Sequence, residues 1–264
     1  MDGEVIYKNG YPYCKKCGTA RFIIIGGTVF PCLCECQAKE RDKENARKDE
    51  EERRKIFTYK QIKSGVSERY RDVTFENTKH FSEVNGAYES MQNYCKNADA
   101  VKVNNIWVYI YGENSTGKTH LTACMANYLI SKGYNVLFTS VPQIIADIQS
   151  SYTRNTATQA EILKDLATKD FVFLDDLGKE ITGTKTAFSE KILLEVINAR
   201  YNNKLPTIIT SNYSIKELGT KLNVDAAITQ RLGEECKKII KMQGLNFRKV
   251  LHDDKSEILK KLGI

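Results

Sequence analysis

Residues 106–119 read Ile-Trp-Val-Tyr-Ile-Tyr-Gly-Glu-Asn-Ser-Thr-Gly-Lys-Thr, an apolar run followed by a glycine-rich loop. The last eight positions match the phosphate-loop pattern Gly-x-x-x-x-Gly-Lys-[Ser/Thr] in full. The apolar run predicts a strand over Ile106–Tyr111, and the residues after the loop predict a helix over Lys118–Lys132 that Gly133 ends. Backbone N–H groups and the positive end of such a helix attract phosphate. This stretch therefore predicts a nucleotide site on an α/β fold.

Two side chains of the loop are expected to contact the nucleotide and its metal ion directly. Lys118 is expected to reach the β- and γ-phosphates, and the Thr119 hydroxyl to bind Mg²⁺. The predicted nucleotide contacts of the loop are Gly112, Glu113, Asn114, Ser115, Thr116, Gly117, Lys118 and Thr119. A glycine turn without a ligand is the competing interpretation, and the flanking strand and helix count against it.

Two later strands end in polar side chains. Phe171–Asp175 is a fully apolar strand up to its last residue, as expected for a strand buried on both faces, and Asp176 follows it. Beside a P-loop, one carboxylate of such a pair holds Mg²⁺ and the other orients the attacking water. We assign Asp175 to the metal and Asp176 to the base. The strand Thr207–Ser211 leads into Asn212, which would contact the γ-phosphate or the water unless it only forms a turn.

The remaining pattern alternates strands with helices. Strands are predicted over Asn135–Thr139 and Lys238–Met242. One helix is predicted to start with Ile144–Ile148, and another to cover Glu190–Tyr201. Strands separated by helices form parallel sheets, so we expect a doubly wound parallel α/β domain.

Five of the eight cysteines lie between residues 14 and 36. Clustered cysteines in a cytosolic protein indicate a metal site rather than disulfides. Two short predicted strands, Arg21–Ile25 and Thr28–Pro31, separate a Cys-x-x-Cys pair from a Cys-x-Cys pair, which suits a tetrahedral zinc site. The predicted ligands are Cys14, Cys17, Cys32 and Cys34, with Cys36 as an alternative to Cys34. Free thiols and an iron–sulfur cluster are the competing interpretations.

The segment from Gln37 to Lys63 has 17 charged residues among 27, and it contains neither glycine nor proline. Between Lys39 and Lys55 its one apolar residue is Ala46, so it has no stripe to bury. Alternating charges predict a solvated helix that acts as a spacer. We therefore expect a zinc-ribbon-like module over residues 1–36, a charged helical linker over 37–65 and an ATPase domain over 66–264.

The run Gly-x-x-x-x-Gly-Lys-Thr-His-Leu at residues 112–121 resembles the AAA+ ATPases of the helicase-loader family, the DnaC- and DnaI-like proteins, to which the IstB transposition helpers are related. The similarity extends from about residue 70 (Tyr-Arg-Asp-Val-Thr-Phe) to Gly-Leu-Asn-Phe-Arg at residues 244–248. An Asp-Asp pair, as at Asp175 and Asp176, is frequent in that family. The resemblance implies a P-loop AAA+ fold with a reduced lid, since only residues 249–264 follow Arg248.

The resemblance also implies roles for residues distant from the loop. Asn212 corresponds to sensor 1, Arg231 in Ile-Thr-Gln-Arg-Leu to the arginine finger of a neighbouring subunit, and Arg248 to sensor 2. A guanidinium supplied in trans accelerates phosphoryl transfer by about 10³–10⁵. The implied catalytic residues are Lys118, Asp176, Asn212, Arg231 and Arg248.

The function implied by the resemblance is an ATP-dependent loader that places a hexameric replicative helicase on single-stranded DNA during replication initiation. Its cofactors would be ATP, Mg²⁺ and Zn²⁺, and it would self-associate through the ATP site. The alternative is an IstB-like transposition helper ATPase acting on DNA. A small-molecule kinase would need an acceptor pocket and lid, and a zinc adaptor without ATPase activity would not need an intact P-loop. The cysteine module binds either the helicase or nucleic acid.

Charge and hydropathy agree with these expectations. The chain has a net charge of +7, and residues 237–264 alone hold eight basic and three acidic side chains. This segment is either a phosphate-backbone contact or a solvated surface. No apolar run approaches the roughly 18 residues that a membrane span requires. The acidic N-terminus lacks the layout of a secretory signal, so a cytoplasmic protein without membrane partners is expected.

Overall fold

The computed structural model describes residues 5–78, 85–154, 158–178, 187–244 and 246 of the chain. The chain divides into two compact units, Met1–Thr58 and Tyr59–Ile264. Within the described ranges, no helix combines the length and the apolar character needed to cross a bilayer.

The first unit contains two antiparallel hairpins. Strands β1 (Val5–Lys8) and β2 (Tyr11–Cys14) form the first, and β3 (Phe22–Ile25) and β4 (Thr28–Pro31) form the second. The second hairpin confirms the two strands predicted from the sequence. The first was not predicted, although its two turn residues are an Asn-Gly pair with positive φ, the strongest short-range hairpin signal.

Helix α1 (Glu35–Lys63) confirms that the charged segment is helical. Lys48 pairs with Glu44 and Lys55 with Glu51, each one turn apart on exposed side chains. The last turn of α1 is not the solvated spacer that the sequence predicts, because Gln61 is buried there. The division between the two compact units falls after Thr58.

The second unit is built on a five-stranded parallel sheet flanked by helices. Its strands are β5 (Val108–Gly112), β6 (Val136–Ser140), β7 (Phe171–Leu177), β8 (Thr207–Ser211) and β9 (Lys238–Met242). Its helices are α2 (Asn85–Lys96), α3 (Ala98–Val103), α4 (Lys118–Ser131), α5 (Val141–Arg154), α6 (Gln159–Thr168), α7 (Ala187–Asn202), α8 (Ile215–Leu222) and α9 (Ala226–Glu235).

The sheet has the order β6-β7-β8-β5-β9, and every pairing is parallel. The strand that precedes the glycine-rich loop, β5, therefore lies inside the sheet between β8 and β9. The apolar strands are buried on both faces, because consecutive residues are fully buried: Val108 and Tyr109 of β5, and Ile208 and Ile209 of β8. The predicted parallel α/β fold is confirmed, and the carboxyl ends of β5, β7 and β8 share one edge.

A buried amide pair fixes the segment that leads into this domain. The side chain of Gln61 donates hydrogen bonds to the Asn127 side-chain oxygen at 2.9 Å and to the Arg71 carbonyl at 2.7 Å. The amide of Asn127, on α4, donates to the carbonyls of Tyr70 and Val73, both at 2.8 Å. The helix that follows the P-loop is thereby tied to the end of α1 and to residues 70–73.

We expect Asn127→Ala to lower the free energy of unfolding by about 2–4 kcal/mol, because it leaves two carbonyls and the Gln61 amide without their buried partner. Urea denaturation measures the loss. Asn203→Ala is the matched control, since that asparagine donates one exposed bond to the Ala199 carbonyl and should lose less than about 1 kcal/mol. Equal losses in the two variants would contradict the role of Asn127.

Candidate functional site

The glycine-rich loop lies at the carboxyl end of β5, directly before α4, as predicted. Gly112 has a φ of +150°, and a Cβ atom there would lie 1.8 Å from the backbone oxygen of Met242 on β9. Gly117, with a φ of +91°, caps the N-terminus of α4 in the left-handed region. Both glycines are thus required by the backbone, and the N-terminus of a 14-residue helix is directed at the loop.

Lys118 is held within the loop itself. Its ammonium group donates hydrogen bonds to the carbonyls of Gly112 and Glu113, both at 2.8 Å, and the residue is only 5% exposed. Burial lowers the pKa of Lys118, and the nearby carboxylates of Asp176 and Asp175 oppose that shift. The buried cation and both carboxylates of the predicted pair are therefore close enough to interact.

Asp175 accepts hydrogen bonds from two hydroxyl groups. Thr119 Oγ1 lies 3.0 Å from Asp175 Oδ2, and Thr210 Oγ1 lies 2.6 Å from Asp175 Oδ1. Burial raises the pKa of Asp175, while the hydrogen bond from Thr210 opposes the rise. A hydroxyl and a carboxylate in direct contact form an oxygen donor set of the kind that Mg²⁺ prefers.

The backbone turns out of the regular strand between the two carboxylates. Consecutive side chains of a strand point to opposite faces of the sheet. Here the register of β7 on β8 shifts between Leu174 and Leu177, and Asp176 has a φ of +57°. The Asp176 backbone N–H donates to Thr210 Oγ1 at 2.9 Å, so one threonine hydroxyl fixes both aspartates.

The structure places two of the other three predicted site residues, Asn212 and Arg231. Asn212 is half-buried and directly follows β8, at the same sheet edge as Asp175. Arg231 lies on α9, where its guanidinium stacks 4.0 Å from the centre of the Tyr201 ring, and none of its described contacts is with the P-loop of its own chain. Arg248 lies outside the described residues.

These residues fit ATP with Mg²⁺. The loop has no room for a Cβ at Gly112, its lysine is buried, and Thr119 with Asp175 supplies two oxygen ligands at the start of α4. Gly112, Glu113, Asn114, Ser115, Thr116, Gly117, Lys118 and Thr119 would surround the phosphates.

The first unit gathers four thiols. The Sγ atoms of Cys14, Cys17, Cys34 and Cys36 all lie within 4.8 Å of one another. Zn–S bonds of about 2.3 Å in a tetrahedron place sulfur atoms about 3.8 Å apart, so the group matches a Cys₄ zinc site. A hydrogen bond with Thr19 lowers the pKa of Cys17 to about 5, whereas contacts with Cys34 and Cys14 raise the pKa of Cys36 to about 12. A bound metal would replace the proton that Cys36 holds.

Cys32, predicted as a ligand, is not part of this group, and Cys36 takes its place. Cys32 follows β4, and its Sγ faces the carbonyl of Ala20 at 3.9 Å. Cys36 lies in the first turn of α1, with its Sγ 3.2 Å from that of Cys34 and 3.5 Å from that of Cys14. The start of the helix, rather than the end of the strand, provides the second pair.

Thr210 is the site residue that sequence analysis did not single out. It lies inside the predicted strand Thr207–Ser211, and its contact with Asp175 depends on the pairing of β7 with β8. The signal available in the sequence is a threonine near the end of a buried strand, two residues before Asn212.

A parallel sheet of this order, with a P-loop after an inner strand and paired aspartates on the strand two positions away, defines the AAA+ class of ATP-binding proteins. A profile of the IstB-like ATP-binding proteins matches residues 74–253. The chain belongs to that family.

Relatives and solved structures agree with this assignment. The chain is 28% identical over 178 residues to the replicative helicase loader DnaC of Buchnera aphidicola subsp. Baizongia pistaciae, covering 65% of this chain and 68% of that one. A crystal structure of the DnaC helicase loader superposes with a TM-score of 0.57 at 20% identity, over 67% of this chain and all of that one. The replication initiator DnaA bound to AMPPCP and single-stranded DNA gives 0.57 at 19% identity, over 76% and 57%.

The thiol geometry predicts which cysteines bind zinc. Full-length protein purified without chelator should contain about one zinc per chain by elemental analysis, and Cys36→Ser should lose most of it. Cys32→Ser is the matched control and should keep about one zinc per chain, because its thiol faces a carbonyl. Zinc lost from Cys32→Ser and retained by Cys36→Ser would restore the ligand set predicted from sequence.

Proposed function

We propose that this chain is an ATP-dependent loader that places a hexameric replicative helicase on single-stranded DNA during replication initiation. The observation that supports it most is the contact between Thr119 and Asp175 beside the buried Lys118, in a chain whose curated relatives include helicase loaders. Such a protein would act in the cytoplasm.

The proposed hydrolysis divides the work among named side chains. Lys118 and the loop N–H groups hold the phosphates, while Thr119 and Asp175 hold Mg²⁺, which when bound neutralises phosphate charge. Asp176 orients the attacking water and accepts its proton, and Asn212 contacts the γ-phosphate or that water. Thr210 keeps the two aspartates in these places.

Self-association would complete the site. In the proposed assembly Arg231 reaches the γ-phosphate held by a neighbouring copy, and Arg248 would read the γ-phosphate in its own chain. ATP therefore holds neighbours together and its hydrolysis releases them. The absence of any described contact between Arg231 and its own P-loop supports a role in trans.

The first unit is proposed to bind zinc and to contact the helicase. Its second hairpin exposes apolar side chains on both faces, with Ile23, Ile25 and Phe30 on one face and Ile24 and Val29 on the other. A protein partner would cover such a surface, whereas the DNA backbone would not favour it. Single-stranded DNA is instead proposed to bind the second unit, whose fold resembles that of a DnaA structure containing single-stranded DNA.

An IstB-like transposition helper is the second candidate, favoured by the family profile that the chain matches. Both candidates use the same ATP site, so they differ in the protein partner rather than in the chemistry.

The paired aspartates give the sharpest test of hydrolysis. Asp176→Asn should keep Mg²⁺-dependent ATP affinity and lower kcat by about 10²–10⁴, because it removes the proton acceptor and leaves the metal ligand. Asp175→Asn should weaken Mg²⁺-ATP binding itself. Steady-state hydrolysis and fluorescent-nucleotide titration separate the two effects, with Asp165→Asn on α6 as an exposed control. Identical changes in Mg²⁺-ATP affinity for both variants would contradict this division.

The helicase itself tests the loader role. The full-length protein should bind the replicative helicase of its own replication system when ATP is present. It should also stimulate unwinding that starts on closed circular single-stranded DNA, because a closed helicase ring cannot thread onto a circle. Lys118→Ala should abolish the stimulation because the phosphates lose their buried cation. A protein that ignores the helicase but activates a transposase would be the IstB-like helper instead.

A further inference from the structure

Arg231 is half-buried and has an unusual environment for a cation of this chain. Its guanidinium carbon lies 4.0 Å from the centre of the Tyr201 ring, the shortest cation–ring separation among the described residues. No carboxylate lies within ion-pair distance of Arg231 in the described part of the chain. Tyr201, at the end of α7, is 40% exposed, so the stacked pair lies at the protein surface.

A guanidinium that stacks on an aromatic ring keeps its N–H donors available, whereas one that pairs with a carboxylate does not. A carboxylate would occupy the N–H groups at the edge of the guanidinium and neutralise its charge. An aromatic face restricts the plane of the guanidinium and leaves its five N–H donors directed outward. The contact with Tyr201 therefore orients Arg231 without satisfying it, which suits a side chain that must bind phosphate on another molecule.

The backbone at Tyr201 is held in place by the preceding residue, Arg200. Arg200 is fully buried, and its guanidinium donates to the Leu166 carbonyl at 3.0 Å, the Pro206 carbonyl at 2.6 Å and the Thr207 hydroxyl at 3.2 Å. These bonds join the end of α7 to α6 and to the start of β8. The backbone that presents Tyr201 is thereby immobilised from inside the domain.

The helix that presents Arg231 is fixed in a similar way. Ile228 and Leu232, on either side of Arg231 along α9, are fully buried. At the N-terminus of α9, the Asp225 backbone N–H donates to the Glu190 carboxylate of α7 at 3.2 Å. Both helices are therefore held against each other before the stack is counted, so the stack is not needed to bring them together.

We propose that Tyr201 is a positioning residue for the trans-acting Arg231: its ring holds the guanidinium extended on the surface, in the orientation that a nucleotide phosphate of a neighbouring copy requires. This inference rests on the proposed function, because it assigns Tyr201 to the ATP site formed between two copies. A stack that only stabilises the packing of α7 on α9 is the competing interpretation.

Steady-state kinetics of the full-length protein distinguish the two roles. Tyr201→Leu should lower kcat for ATP hydrolysis by about three- to thirty-fold, with KM and nucleotide affinity unchanged, because the arginine loses its orientation and the P-loop is intact. Tyr201→Phe keeps the ring and should retain the kcat of the original protein. Tyr59→Leu removes an exposed tyrosine that a lysine contacts at 5.8 Å, and it should have no effect.

Mixing two inactive variants tests the effect in trans. Chains with Lys118→Ala lack a working site but supply Arg231, and chains with Arg231→Ala lack the arginine but supply a site, so their mixture should recover activity. Tyr201→Leu should reduce that recovery when placed on the Lys118→Ala chain and leave it unchanged on the Arg231→Ala chain.

The outcomes separate the two proposals. If Arg231→Ala loses activity and Tyr201→Leu does not, the role of Tyr201 is wrong and the proposed function stands. If Arg231→Ala keeps full turnover, the trans-acting arginine is wrong and the role of Tyr201 with it. A loss of thermal stability and nucleotide affinity in Tyr201→Leu, without a selective fall in kcat, would show a structural stack only.

Discussion

The nucleotide site depends on a single threonine hydroxyl. Asp175 and Asp176 are adjacent on a strand, and a regular strand would send their carboxylates to opposite faces of the sheet. Thr210 prevents this, because its hydroxyl donates to the Asp175 carboxylate and accepts the Asp176 N–H where the register shifts. The left-handed conformation of Asp176, at a φ of +57°, costs about 1–2 kcal/mol that regular pairing elsewhere in β7 and β8 must offset. The site is thus built into the pairing of two strands.

The same sheet edge explains why Lys118 can be buried without a direct ion pair. Its ammonium group is satisfied by two loop carbonyls, and the carboxylates of Asp175 and Asp176 oppose the fall in its pKa that burial causes. Burial of a cation is costly unless such partners exist. The backbone of the loop, forced into shape by Gly112 against Met242, provides them. The contact between β5 and β9 at Gly112 therefore shapes both the sheet edge and the loop carbonyls that hold Lys118.

Local patterns predicted most of this fold, and long-range contacts account for what they missed. The P-loop, the strand ending at Asp175 and the strand Thr207–Ser211 follow from residue types along a short stretch, because apolar runs and glycine turns act locally. The group of four thiols differs from the predicted ligand set because the sequence spacing paired Cys32 with Cys34 and offered Cys36 only in place of Cys34. In the structure, the thiol of Cys36, at the start of α1, contacts the thiol of Cys34, whereas the thiol of Cys32 faces the Ala20 carbonyl. Thr210 was missed for a similar reason, since its partners lie on another strand.

The proposed function places the charged side chains in two groups, one that acts within a single copy and one that acts on a neighbouring copy. Within one domain, Lys118 donates to loop carbonyls and the hydroxyls of Thr119 and Thr210 donate to Asp175. Arg231 is the exception, because an aromatic ring orients it while its donors stay available. An arginine paired with a carboxylate would have to give up that partner before it could bind phosphate, and this exchange would weaken association. In the proposed assembly, a cation that is oriented but not neutralised would avoid this cost, and the surface of α9 would be preorganised for a nucleotide held by a neighbouring copy.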